Sequence, residues 1–199
     1  MNKLPIAESF YTIQGEGYHS GRAAYFIRLG GCNVACPWCD AKESWSTTKH
    51  PHLNIEDLAR EAGESGAEVV VITGGEPLMH QLDELCSKLH AAGQKIFLET
   101  SGTQPFSGSF DWVCLSPKSH RPPLEESFKK ADEIKLIIGR EEDLRWAEMC
   151  AQKVAPECRL YLQAEWSTAA KITPIIVDYV KSNQRWRISI QSHKYMQIP

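Results

Sequence analysis

Seven short apolar runs, several of them nearly unbroken, alternate with longer amphipathic stretches, and this alternation limits the fold more than any other feature. The runs are AAYFIRL (23–29), EVVVITG (68–74), KIFLET (95–100), DWVCLS (111–116), EIKLIIG (133–139), RLYLQA (159–164) and RWRISIQ (185–191). A strand apolar on both faces has to be covered on both, the condition of a parallel sheet flanked by helices. Helices are expected over 55–65, capped by Asn54 with Glu56 and Asp57 in the first turn, and over 78–92. In the second, Leu78, Leu82, Leu85 and Leu89 form one stripe and Gly93 ends it. Two more are expected over 141–154 and 167–180, the last starting or kinking at Pro174. The segment 102–132, richer in Gly, Pro and Ser, reads as mostly loop with a short helix near 124–131. A complete eight-stranded α/β barrel takes about 250 residues. With 199, the expected fold is α/β: a shortened, incomplete TIM-type (β/α) barrel with a mostly parallel sheet, in a single domain over residues 1–199.

Composition removes several classes. Basic residues number 22 and acidic 25, a net charge of -3, so the global positive field of a nucleic-acid binder is missing. The longest strongly apolar run, Val69–Ile72, is far below the ~20 residues that cross a bilayer. The opening MNKLPIAESF lacks the apolar segment of a signal peptide. Seven cysteines, an odd number with three inside eight positions, point away from a disulfide framework and toward a metal or cluster site in the reducing cytoplasm.

In folds of this class the chemistry gathers where the strands end. Cys32, Gly74-Gly75-Glu76, Glu99-Thr100-Ser101-Gly102-Thr103, Ser116-Pro117-Lys118 and Gln163–Trp166 each follow or close a strand, so five strands deliver polar groups to one rim. The densest signal is GCNVACPWCD, in which Cys32, Cys36 and Cys39 have the spacing C-x3-C-x2-C. Thiolates suit zinc or an iron–sulfur cluster. Zinc would take its fourth ligand from His50, His52 or Asp40; a cluster held by three thiolates keeps one iron open for chemistry. Cys86, Cys114 and Cys150 fall inside element patterns and read as small buried apolar residues, and Cys158 has no partner near it in sequence.

Together, the cysteine motif with Trp38 before its third cysteine and the downstream strand ending in Gly-Gly-Glu-Pro resemble the radical S-adenosylmethionine superfamily. The resemblance implies that the three thiolates hold three irons of a 4Fe–4S cluster and that the nucleotide's methionine group chelates the fourth. Gly74 and Gly75 would admit the methionine backbone, and the Glu76 carboxylate suits its ammonium.

Three further features narrow the resemblance: FYTIQGEG (10–17) and GRAAYFIRLGGC (21–32) leading into the cluster loop, ETSGT with SPK in the middle, and the ending RISIQSHKYMQIP. In combination they resemble the 7-carboxy-7-deazaguanine synthase family of queuosine-precursor biosynthesis over nearly the whole chain. That family's substrate is 6-carboxy-5,6,7,8-tetrahydropterin, whose ring contraction releases ammonia in a carbon–nitrogen lyase reaction. The resemblance implies pterin contacts at Ile13, Gln14, Gly15, Arg28, Thr100 and Pro199. Glu16 and His193 are added on chemical grounds, as a partner for the pterin edge and as a residue of a tail folding back over the rim. For S-adenosylmethionine it points to Trp38, Cys39, Asp40, Gly74, Gly75, Glu76, Gly102, Ser116, Pro117 and Lys118. It also implies an external electron donor such as flavodoxin or ferredoxin, and a homodimer. One departure is Ala41, where the family commonly has a threonine that helps to bind magnesium. A methyl group cannot ligate a hard cation, so magnesium stays among the expected cofactors with no protein ligand named, to be bound through substrate oxygens and waters, and Ser44 and Ser46 are the nearby hydroxyls. Other classes stay in view: an activating enzyme that makes a radical on a protein partner, which needs an open groove, and a zinc-stabilised binding module.

Overall fold

The computed structural model describes residues 3–199. Its strands are β1 (Lys3–Ile13), β2 (Ala23–Leu29), β3 (His52–Asn54), β4 (Val69–Gly74), β5 (Lys95–Thr100), β6 (Trp112–Leu115), β7 (Glu133–Ile138), β8 (Arg159–Ala164) and β9 (Trp186–Ser189). They form one sheet in the order β3-β1-β2-β4-β5-β6-β7-β8-β9. From β2 to β9 each neighbouring pair is parallel, while β1 runs antiparallel to both β2 and β3. With β3 and β9 as free edges, the sheet curls into a barrel that does not close.

All seven expected strands are present, and β1 and β3 are additions. The sequence hides β1 because only Leu4, Pro5 and Ile6 in it are buried, so it lacks a sustained apolar face, and it carries Pro5. Pro5 sits where β3 is only three residues long, and although it has no N–H to give, its carbonyl accepts from the Gly30 N–H (2.8 Å).

The helices are α1 (Ile55–Glu64), α2 (Asp83–Ala91), α3 (Glu125–Lys129), α4 (Asp143–Ala151), α5 (Ala169–Ser182) and α6 (Ser192–Met196). The stripe of Leu78, Leu82, Leu85 and Leu89 is buried as its spacing requires, but α2 begins only at Asp83. Pro77–Met79 forms a separate 3-10 turn, its Leu78 amide held by the Glu76 carboxylate at 3.1 Å. Pro174 neither starts nor ends α5. It is exposed, so the carbonyl its ring leaves unbonded lies toward water.

The period of two along each strand sorts side chains between two environments. Val70, Ile72, Ile96 and Leu98 face α1 and α2, while Ile134, Leu136, Leu160, Leu162 and Trp186 join the core shared with α4 and α5. The opposite parity points into the barrel. At its lower end Ala24, Phe26, Val69, Val71 and Phe97 close it with apolar bulk, and Phe10 and Trp112 pack on them. Two residues further along β2, β4 and β5 the inward positions become polar, at Arg28, Thr73 and Glu99, and β7 and β8 add Lys135 and Gln163.

The loop after β1 crosses this interior and is pinned at each step. The Gln14 amide donates to Glu99 Oε1 (2.8 Å), the Gly17 N–H to Ser189 Oγ (2.9 Å), and the Tyr18 N–H to Glu133 Oε2 (3.0 Å). Gly17 has φ +66, and a Cβ there would strike the Glu133 carboxylate, so glycine is required on both counts. Tyr18 and His19 then stack on Trp112 and Phe97.

Candidate active site

A cavity of about 610 Å³ opens at the carboxyl ends of the strands. Its lining includes Ile13, Gln14, Gly15, Glu16, Arg28, Cys32, Cys36, Trp38, Cys39, Asp40, Gly74, Gly75, Thr100, Ser116, Lys118, His193 and Pro199. Residues from seven strands and from the C-terminal tail therefore share one chamber.

The cysteine loop hangs from β2 by backbone bonds. The Gly31 N–H donates to the Ser44 carbonyl (2.7 Å) and the Cys32 N–H to that of Trp45 (3.1 Å). Within the loop the Val34 N–H reaches Cys32 Sγ and the Ala41 N–H reaches Cys39 Sγ, both at 3.4 Å. Backbone donors aimed at sulfur stabilise the thiolate form that a cluster requires. Burial pushes the Cys36 thiol up, opposed by the Lys118 ammonium and reinforced by Cys39 and Cys32, so the three sulfurs share one electrostatic environment. Arg121 and His120 brace the loop from outside, bonding the carbonyls of Asn33 and Val34. A donor set of three soft thiols with N–H bonds to two of them, at one end of a cavity, fits a cluster with an open iron. The candidate fourth zinc ligands are engaged elsewhere: His50 Nε2–H donates to the Glu43 carbonyl (2.8 Å), His52 sits on edge strand β3, and Asp40 receives Lys194 (2.8 Å) and Gln191 (3.0 Å). Neither Ser44 nor Ser46 is on the cavity lining, and Ser44 is fully buried with its hydroxyl donating to the Ala41 carbonyl (2.7 Å). Beside Ala41 two carboxylates reach the cavity lining, Glu43 and Asp40, the latter already holding Lys194 and Gln191.

Glu76 departs from expectation. Its side chain is fully buried and does not line the cavity. The carboxylate accepts from Thr100 Oγ1 (2.5 Å), the Ser101 N–H (2.8 Å), the Ser101 hydroxyl and the Leu78 N–H. It is spent on shaping the turn after β5, and a methionine ammonium would have to compete with four donors already in place. Gly74 and Gly75 do line the cavity, and they interlock with β2: a Cβ on Gly74 would collide with the Leu29 backbone and one on Gly75 with the Gly31 carbonyl. Gly102 also lies behind the lining. Its φ is +70, a Cβ would meet Leu115 Cδ1 at 2.5 Å, and its carbonyl accepts from Ser127 Oγ (2.9 Å). Pro117 is buried between Ser116 and Lys118, which themselves face the chamber.

Opposite the cysteines the wall is charged. Lys135 Nζ contacts the Glu16 carboxylate and lies 3.8 Å from Glu99 Oε2. Burial works to lower the Lys135 ammonium, but Glu16 and Glu99 outweigh it and hold it well above its ordinary value. Burial likewise works to raise Glu16, and Lys135 overcomes it, keeping that carboxyl low. Lys118, deep beside Cys36, is pulled below the usual lysine range chiefly by burial. Arg28 faces the chamber while its Nε donates to Glu8 (2.6 Å), so its fork is anchored from one side.

The tail folds back over the rim. The Ser192 N–H and hydroxyl both donate to the Gly15 carbonyl at 3.0 Å, and His193 packs where a Gly15 side chain would be. Gln191 bridges Glu16 (2.8 Å) and Asp40, and the Pro199 carbonyl accepts from Thr12 Oγ1 (3.4 Å). Sequence reasoning put Glu99 and Gln163 on the rim without a site role and left out Lys135, Gln191 and Lys194, and all five are on the lining. Strand parity would have found the first three, since each alternates with a residue facing the helices.

The chain matches the radical SAM superfamily over residues 26–132. It is 48% identical over 196 residues to the 7-carboxy-7-deazaguanine synthase of Flavobacterium psychrophilum, covering 98% of this chain and 93% of that one. Identity to the Synechocystis protein of the same name is 49% over 194 residues, with the same coverages. The crystal structure of QueE from Escherichia coli superposes with a TM-score of 0.85 at 33% identity, over 95% of this chain and 94% of that one. Relatives of that name match it over nearly its whole length and a solved one shares its fold, and the chain belongs to the 7-carboxy-7-deazaguanine synthase family of radical S-adenosylmethionine enzymes.

Proposed function

We propose that this chain, acting as a single domain over residues 1–199, is a carbon–nitrogen lyase. It would contract 6-carboxy-5,6,7,8-tetrahydropterin to 7-carboxy-7-deazaguanine and release ammonia. The observation that carries the reading is the joining of three cysteine thiols and a pterin-sized polar wall in one chamber, in a chain about half identical to proteins named for that product. Family membership implies a 4Fe–4S cluster and S-adenosylmethionine, which when bound supply a carbon-centred radical able to take hydrogen from C6 of the pterin.

The protein's own share is holding and sealing. Cys32, Cys36 and Cys39 hold the cluster. Trp38, Asp40, Gly74, Gly75, Ser116 and Lys118 flank the nucleotide, with Glu76 and Gly102 fixing the turn behind it and Pro117 setting the course of its loop. Gln14 and Glu16 present an acceptor-rich edge to the aminopyrimidinone, together with the backbone of Ile13 and Gly15 and the Thr100 hydroxyl. The Arg28 fork suits the substrate carboxylate. His193 and Pro199, carried by the returning tail, shield the chamber, since a radical has to be kept from water. That cover also favours a small molecule over a protein substrate. Ala41 offers magnesium no oxygen, and the ion would be held by substrate oxygens and water. We assign the reductant to an external one-electron protein such as flavodoxin or ferredoxin, the assembly to a homodimer and the location to the cytoplasm; the described residues contain no helix long and apolar enough to cross a membrane. Anaerobic incubation of the reconstituted protein with dithionite, S-adenosylmethionine and the carboxy-tetrahydropterin should yield 7-carboxy-7-deazaguanine by mass spectrometry. Its absence from a protein with full iron content overturns the reading.

A further inference from the structure

Lys135 and Glu99 stand in the chamber wall with no task assigned above. Lys135 comes from β7 with 6% of its side chain exposed, and it alone among the described cations makes an ion pair with Glu16 or Glu99. Each carboxylate is fixed from its far side by an amide, Glu99 by Gln14 and Glu16 by Gln191, both at 2.8 Å. Two carboxylates therefore share one ammonium, and the triad keeps one excess negative charge facing the cavity. An aminopyrimidinone edge sets a ring N–H beside an exocyclic amino group, two donors side by side, which a carboxylate accepts in parallel. Gln14 serves the same wall, its carbonyl oxygen accepting from the Glu16 N–H at 3.0 Å.

Resting on the function proposed above, we propose that Lys135 is a positioning residue for the pterin: its ammonium offsets the repulsion between Glu16 and Glu99, so that both present carboxylate oxygens to the paired donors of the substrate. The other charged or titratable groups around the triad are Cys114 on β6, Glu133 one layer below on β7, Lys118 in the loop after β6, and His193 on α6, which acts on Glu16. None of them replaces the ion pair. Without the ammonium two crowded acids share a buried wall, and one takes up a proton near neutral pH. A protonated carboxyl meets a donor with a donor.

In the holoenzyme, Lys135→Met should raise the KM for the carboxy-tetrahydropterin about tenfold or more at pH 7, one decade for each pKa unit by which the shared acid exceeds the assay pH. The KM should recover toward pH 9, while wild type stays level across that range and Lys135→Arg follows wild type. Equilibrium dialysis with 6-carboxypterin should show the same loss without turnover. A pH-independent loss in Lys135→Met, a loss in kcat alone, or a Lys135→Arg variant as weak as Lys135→Met would reduce the residue to a structural strap and overturn the inference. If Lys135→Met does not fold, Glu99→Gln decides: a KM raised at every pH supports the inference, an unchanged one overturns it. Wild-type protein without pterin turnover condemns the functional reading. Wild-type turnover with an unmoved Lys135→Met profile condemns this inference alone.

Discussion

Replacing Glu76 by alanine separates a supporting role from a cofactor contact. The carboxylate is buried and takes donors from the Thr100 hydroxyl, the Ser101 N–H and hydroxyl, and the Leu78 N–H. Alanine removes every acceptor at once and leaves those donors in a space too enclosed to hydrate freely. A buried donor left unsatisfied costs about 1–3 kcal/mol, and relaxation of the two hydroxyls recovers part of the sum, so the net loss is about 3–5 kcal/mol. For a chain of this length each kcal/mol lowers the Tm by about 2–4 °C, which places the variant about 6–20 °C below wild type. The assay is thermal denaturation of cluster-free protein without S-adenosylmethionine, where a residue that only greeted the cofactor would be silent. A Tm within about 2 °C of wild type, well below the loss reckoned from unsatisfied donors, would refute the supporting role and return Glu76 to the methionine ammonium.

Cys36→Ala should lose product formation and most bound iron, whereas Cys150→Ala, in the helical core away from the chamber, should keep both; equal iron in the two proteins contradicts the assignment. Removal of Ile198 and Pro199 should weaken substrate binding in a titration while iron content stays at the wild-type level, because both line the rim and neither touches the cysteine loop. His19 is held down to about 4, first by burial and then by Arg22 and Lys95. The unfolded imidazole protonates near 6.5, so the unfolded state gains the proton first as pH falls. Stability should decline from about pH 6.5 and level off below about 4, by about 1–2 kcal/mol once the ring's partial exposure is allowed for. Urea denaturation at pH 7 and pH 5 should show this slope in wild type and its absence in His19→Phe.

How far the molecule is readable from its residues depends on which interactions decide each part. The strands β2 and β4 to β9 declare themselves because a doubly covered strand has to be apolar throughout, and the cysteine spacing carries its own chemistry. β1 is silent since its partners lie fifty residues away in β3 and across a turn in β2, and a local pattern cannot report them. The bonding of Glu76 is hidden for a related reason. Its partners Thr100 and Ser101 lie 24 and 25 residues downstream, and only the parallel register of β4 on β5 brings the turns together. Lys135 and Glu99 were legible in principle, Lys135 as a cation at inward parity between Ile134 and Leu136, and Glu99 as an acid two residues after the inward Phe97. The tail was legible through family resemblance alone; what ties it down, Gln191 to Glu16 and Asp40 and Lys194 to Asp40, spans about 150 residues or more of chain.

The central claim is that this chamber takes hydrogen from C6 of a carboxy-tetrahydropterin. Substrate carrying deuterium at C6 tests it most directly, with the reaction stopped after a few turnovers and S-adenosylmethionine, 5′-deoxyadenosine and product recovered for mass spectrometry. The account predicts deuterium in the 5′ position of the recovered adenosyl group together with unlabelled 7-carboxy-7-deazaguanine. Product that forms while the adenosyl group stays unlabelled would contradict it.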